Sequence, residues 1–139
     1  MAAVARGGRP RRSDALAPLP RLAALELAPL ERIAGRSPFA LFSKRAPGAV
    51  IAPHTRFHNS RLVCHLPLIV PDDCGFRVGN ETRTWVPGKA FVFDDTIEHE
   101  ARNESAETRI VLIFNIWRPE LTLPERGLVG NLMEGIAGL

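Results

Sequence analysis

Arg61-Leu62-Val63-Cys64-His65-Leu66-Pro67-Leu68-Ile69-Val70 and Thr108-Arg109-Ile110-Val111-Leu112-Ile113-Phe114-Asn115-Ile116-Trp117 decide the fold. Neighbours on a strand point to opposite sides. Arg61, Val63, His65, Pro67 and Ile69 therefore share one face, and Leu62, Cys64, Leu66 and Leu68 share the other. In the second stretch Arg109, Val111, Ile113, Asn115 and Trp117 oppose Ile110, Leu112, Phe114 and Ile116. Both faces of both segments are largely apolar, so each is expected to be a central strand covered on two sides. One cover is an opposing sheet. The other must come from the N-terminal segment, a C-terminal helix over 125–136, or a second copy of the chain, so a homodimer is one of the expectations.

Outward from these two strands the texture stays β-like. Further strands are expected at 39–43, 49–52, 75–78, 81–85, 90–93 and 99–102, separated by Pro-Gly, Gly-Asn and Pro-Asp-Asp punctuation. Gly79-Asn80 reads as a two-residue hairpin loop, because both residue types tolerate positive φ. Eight short strands predict an all-β jelly roll. Leu22, Leu25, Leu27 and Leu30 suggest a short helix ahead of the barrel, ended or kinked by Pro29.

At 139 residues the chain has room for one domain. Residues 1–20 read as a flexible basic leader and 21–139 as the barrel domain. The formal charge of +3 rests on Arg6, Arg9, Arg11 and Arg12; without them it is −1. A nearly neutral folded part argues against a nucleic-acid surface. No apolar run approaches a membrane span or a signal peptide, and a cytoplasmic protein is expected. Cys64 and Cys74 are expected to be buried and reduced, and Trp85 and Trp117 to be core aromatics.

All four histidines, His54, His58, His65 and His99, fall in the β region. Any one alone suits a hydrogen-bonded structural role better than a ligand role. His54 and His99, at strand ends 45 residues apart, have the placement that non-haem iron oxygenases use across a barrel mouth. The carboxylate such sites usually carry two residues after the first histidine is here Arg56. A zinc reading of His54, His58, Cys64 and Cys74 lacks any Cys-x-x-Cys and is disfavoured. Arg109 opens an apolar strand with no acid on its own face, which calls for an anionic partner. That partner is either an acid from another strand or a bound carboxylate held by paired hydrogen bonds. Asp94-Asp95 suits turn chemistry best, with a missing metal ligand or an acceptor that orients an imidazole as the alternatives.

The blocks Pro53-His54-Thr55, Asn59-Ser60-Arg61-Leu62, Cys64-His65-Leu66-Pro67-Leu68, Gly79-Asn80-Glu81-Thr82-Arg83-Thr84-Trp85, Phe93-Asp94-Asp95-Thr96, Glu98-His99-Glu100 and Arg109 with Trp117 resemble the catalytic domain of the aspartyl/asparaginyl β-hydroxylases. The resemblance covers roughly residues 36–125 and implies a double-stranded β-helix (jelly roll, cupin-like) with short flanking helices. It also implies Fe(II), 2-oxoglutarate as co-substrate, and O2. His54 and His99 match the metal ligands, with no protein carboxylate. Arg109 matches the arginine that grips the distal carboxylate of 2-oxoglutarate, and it is assisted by the positions matching His65 and Ser43. Val63 stands where the family has a second arginine. Arg56 and Phe57 replace a small segment containing Gly, Arg118 replaces a common His, and Asn115 a common Asp. The resemblance implies a dioxygenase hydroxylating an aspartyl/asparaginyl-type side chain in a peptide or a free amino acid. A catalytically idle metal- or ligand-binding β-barrel is the alternative.

Overall fold

The computed structural model describes residues 30–33 and 40–137. Within them lie β1 (Ala40–Arg45), β2 (Val50–His54), β3 (Arg61–Ile69), β4 (Cys74–Val78), β5 (Glu81–Arg83), β6 (Phe91–Phe93), β7 (His99–Asn103), β8 (Arg109–Trp117) and one helix, α1 (Leu123–Ala137). One sheet has the order β1-β8-β3-β6, the other β2-β7-β4-β5. The pairs β1·β8, β2·β7, β3·β6 and β4·β5 are antiparallel and are those of a single long hairpin rolled up on itself. Its tip is the Gly79-Asn80 loop, with Val78 opposite Glu81. The result is the expected double-stranded β-helix.

Only Gly79 of the tip pair takes a positive φ, 55°. The hairpin thus needs one residue free of a Cβ penalty, where two had been expected. Asp73 sits at φ 63° in the Pro71-Asp72-Asp73 turn, a conformation that Asp tolerates better than bulkier residues. The Glu81 strand ends at Arg83, two residues sooner than expected, and Trp85 lies beyond it, before the turn bridged by Val86 and Lys89.

Alternation assigns the faces as the sequence suggested. On the outer face of the first sheet Cys64, Leu112, Phe114 and Ile116 cluster with Leu30. Between the sheets lie Cys74, Phe76, Trp85, Ala101 and Val111, with Phe91, Phe93 and Ile113 against them. Truncating Phe76 here would cost about 3–5 kcal/mol. Both cysteines are free and buried. Residues 1–29, including the basic leader and the suggested helix up to Pro29, lie outside the described residues. Leu30 itself forms an antiparallel bridge to Ile116, extended rather than helical, because β8 offers it backbone partners.

Helix α1 begins two residues ahead of the expected Glu125. Thr122 is its N-cap: Glu125 accepts from the Thr122 backbone N–H and hydroxyl, each at 2.7 Å, a capping box that satisfies otherwise orphaned end groups. Pro124 is tolerated because first-turn N–H groups have no helical acceptor. Met133 packs the helix on Ile33 and Trp117. No helix among the described residues is long and apolar enough to cross a membrane.

Candidate active site

Between the sheets opens a cavity of about 510 Å³ lined by residues of both. At one end stand His54, the last residue of β2, and His99, the first of β7. They are register partners, and their ring centroids lie 4.2 Å apart at 53°. Each ring is held the same way. His54 Nδ1 lies 2.9 Å from the Ala52 carbonyl and His99 Nδ1 2.9 Å from the Ile97 carbonyl. A carbonyl only accepts, so each Nδ1 carries the proton and donates it, and in the neutral ring each Nε2 keeps its lone pair. That is the tautomer a metal ligand requires, oriented by an outer hydrogen bond. Burial, above all, lowers the His99 pKa, and the nearby His54 and Arg56 charges push it the same way against the Ile97 hydrogen bond and Asp95. His99 is thus neutral at neutral pH. No group of three or more His, Cys, Asp or Glu side chains placed to share a metal ion occurs among the described residues.

The Asp pair after β6 does not orient the imidazoles. Asp94 accepts from the Thr96 N–H at 3.0 Å and from its hydroxyl, which makes a turn, and it pairs with Arg118. Asp95 is buried and pairs with Arg61 at 3.0 Å.

At the other end lies Arg109, the first residue of β8 and 2% exposed. It donates to Ser43 Oγ at 3.2 Å, and its guanidinium carbon sits 4.4 Å over the Trp85 ring, a cation–π contact. No carboxylate pairs with it among the described residues, and its buried Nε–H has no partner there. Desolvation, then the neighbouring Arg45 charge, bring its pKa down to about 10. It remains a cation at neutral pH, and of the two partners open from sequence the acid from another strand is not present among the described residues. An unpaired buried charge with an orphaned donor is costly unless an anion arrives.

His65 lies between the two ends. Trp85 Nε1–H donates to its Nδ1 at 3.1 Å. An indole is only a donor, so His65 carries its proton on Nε2. This is the opposite tautomer to that of His54 and His99. Burial, then the charges of Arg109 and His99, lower its pKa to about 3. It is therefore neutral, with an Nε2–H donor that has no partner among the described residues. The structure thus brings together His54, His99, His65, Arg109 and Ser43 around one cavity, all five singled out from sequence. His58 lines the same cavity but bonds Ser60 Oγ at 3.0 Å. Cys64 belongs to the outer cluster and Cys74 donates to Asn103 at 3.2 Å, so the zinc grouping does not form.

Trp85 is more than a core aromatic, since it fixes the His65 tautomer and underlies Arg109. A large indole at the end of a predicted strand gave one hint, because a buried N–H needs an acceptor. Nothing in the sequence pointed to the partner of Asn115, whose amide lies 3.5 Å from Glu31 Oε2 behind the cavity wall. Both are buried.

The sequence model of the Aspartyl/Asparaginyl beta-hydroxylase family matches residues 6–119. The chain belongs to the aspartyl/asparaginyl β-hydroxylase family. It is 43% identical over 86 residues to the mouse aspartyl/asparaginyl beta-hydroxylase, covering 61% of this chain and 12% of that protein. It is 41% identical over 97 residues to the ornithine lipid ester-linked acyl 2-hydroxylase of Rhizobium tropici, 68% of this chain and 34% of that one. It thus spans well under half the length of either relative. Among solved structures it is similar to TT1209 from Thermus thermophilus, with a TM-score of 0.47 and 27% identity, over 60% of this chain and 78% of that one.

Within this hydroxylase family the departures noted from sequence have structural partners. Arg118 donates to the Asn59 carbonyl at 2.6 Å as well as pairing with Asp94, which ties the loop after β2 to the turn after β6. Asn115 meets Glu31, and the Arg56 N–H is held by the Asp95 carbonyl at 2.8 Å.

Proposed function

We propose that the chain is an Fe(II)- and 2-oxoglutarate-dependent dioxygenase that hydroxylates an aspartyl- or asparaginyl-type side chain in a peptide or free amino acid. The observation that carries this reading is the enforced contrast of tautomers around one cavity. Two adjacent imidazoles offer Nε2 lone pairs, the third offers an Nε2–H, and a buried arginine without an acid faces them.

In this reading His54 and His99 hold the metal through Nε2. Arg109, braced by Ser43 Oγ and Trp85, takes the distal carboxylate of 2-oxoglutarate, which answers its orphaned Nε–H. His65 donates its Nε2–H to the co-substrate and, with a pKa far below neutrality, takes up no second proton, so the ring stays neutral. Ile51, Phe76, Phe93 and Ile113 supply an apolar wall that keeps bulk water from the reacting centre. When bound, the metal supplies the activation of O2 that couples decarboxylation of 2-oxoglutarate to C–H hydroxylation. The protein supplies placement and charge.

The test is anaerobic titration of the purified chain with Fe(II) and then 2-oxoglutarate, followed by air and a succinate assay. A 2-oxoglutarate-dependent visible band followed by succinate is the expected result. Metal retention with no band and no succinate would replace this reading with that of an idle metal-binding barrel.

A further inference from the structure

Six charged side chains line the cavity: Arg45, Arg56, Arg61, Arg109, Asp95 and Glu100. Asp95 neutralises Arg61 at 3.0 Å, and Glu100 is engaged by Arg77 at 3.0 Å. Arg45, Arg56 and Arg109 have no acidic partner among the described residues. These three are not placed together. Arg45 is the register partner of Arg109, so both belong to the co-substrate end. Arg56 is two residues beyond His54, with its backbone N–H pinned to Asp95, at the histidine end.

At that end β3 contributes no free cation. Its inward residues there are Arg61, already paired, and the apolar Val63. A metal dication and Arg109 together outweigh the two charges of 2-oxoglutarate, and Arg45 and Arg56 add two more positive charges. A loaded cavity is therefore still net positive, and such a field selects anions and draws them in.

Resting on the reading above, we propose that Arg56 is a specificity-determining residue that holds the carboxylate of an acidic substrate side chain at the histidine end of the cavity, so that the chain prefers aspartyl over asparaginyl substrates. A carboxylate accepts two parallel hydrogen bonds from a guanidinium, whereas a carboxamide offers one acceptor and no charge.

Calorimetry on the protein loaded with Mn(II) and N-oxalylglycine, a non-reactive analogue of 2-oxoglutarate, tests this without turnover. The probes are N-acetyl-aspartate amide and N-acetyl-asparagine amide, titrated into the wild type and Arg56→Gln. The wild type should prefer the aspartate probe by roughly five- to tenfold, the range for a partly screened charge-assisted contact. The preference should fall to within about twofold in R56Q, while N-oxalylglycine affinity stays unchanged. No preference in the wild type, including no measurable binding of either probe, overturns the proposal, as does a preference that R56Q retains. If R56Q weakens N-oxalylglycine instead, Arg56 belongs to the co-substrate grip and the substrate role is lost. Failure of N-oxalylglycine to bind the wild type would sink the co-substrate reading itself, which is a separate result.

Discussion

At the His54/His99 end of the cavity each ring is fixed by a carbonyl two residues earlier in the chain, Ala52 within β2 and Ile97 in the turn before β7. At the Arg109 end the partners come from far along the chain: Ser43, 66 residues away, and the Trp85 ring, which also holds His65 from 20 residues away. The first arrangement follows from local backbone geometry plus one strand register. The second exists only once β1, β3, β8 and the turn after β5 have assembled. The histidine end is therefore a local device joined by pairing, and the arginine end is a product of the packed core.

The difference can be tested by removing each end in turn. If His54 and His99 hold the metal as proposed, His99→Ala deletes one of two protein donors and should abolish measurable Mn(II) binding in a calorimetric titration, with His54→Ala matching it. Because the orienting contacts are local, thermal unfolding of either variant should stay close to that of the wild type. Full Mn(II) binding by H99A would remove the metal assignment from this end. At the other end Arg109→Met should weaken N-oxalylglycine roughly a hundredfold, the worth of a desolvated charge-assisted pair. R109M should cost little stability, or even gain some, since it removes a buried charge that no described acid balances. A large loss of stability would mean that Arg109 is structural first.

The same contrast explains what was legible in the sequence. Period-two alternation in β3 and β8 gave the faces, the Gly79-Asn80 signal gave the hairpin tip, and the family blocks gave His54, His99, His65, Arg109 and Ser43. The alternation could not show that Trp85 leaves its strand to lie under Arg109, because a strand's end depends on which neighbour is there to pair. Nor could it reveal that Asp95 and Arg61, or Glu31 and Asn115, meet, since these contacts join elements 34 and 84 residues apart. Thr122-x-x-Glu125 carries a capping-box signal, and that signal marks where the helix starts, two residues ahead of the expected Glu125. The orphaned Arg109 Nε–H, the strongest pointer to a bound anion, emerges only from packing.

The residue between the two ends is tested by pH. His65 titrates near pH 6.5 when unfolded and near 3 when folded. The unfolded chain therefore binds more protons between those values, and the stability His65 contributes is full above about pH 6.5 and is lost as pH falls towards 3. The loss is on the order of a few kcal/mol. His65→Gln keeps an acceptor for the Trp85 N–H and a donor towards the cavity but does not titrate. Urea unfolding at about pH 7 and about pH 4.5, either side of the upper part of that window, should show a steeper acid loss in the wild type than in H65Q. Equal slopes would contradict the buried, neutral His65.

The smallest effect expected concerns Arg118, which bonds the Asn59 carbonyl and Asp94. These two partners sit in the loop that follows His54 and in the turn that precedes His99. Its neighbours there are joined independently, because the Arg56 N–H meets the Asp95 carbonyl and the Arg118 N–H meets the Ser60 carbonyl at 3.1 Å. Arg118→Ala therefore leaves two backbone ties in place while removing a part-buried ion pair, a stability cost of about 0.5–1 kcal/mol. Its influence on function should be confined to one end: Mn(II) affinity falls a few-fold, as when an outer contact to a ligand-bearing loop is lost, and N-oxalylglycine affinity measured with metal saturating does not move. Equal weakening of both ligands in R118A would show that the loop clamp also shapes the Arg109 end, and that the two ends are coupled through the cavity rather than built separately.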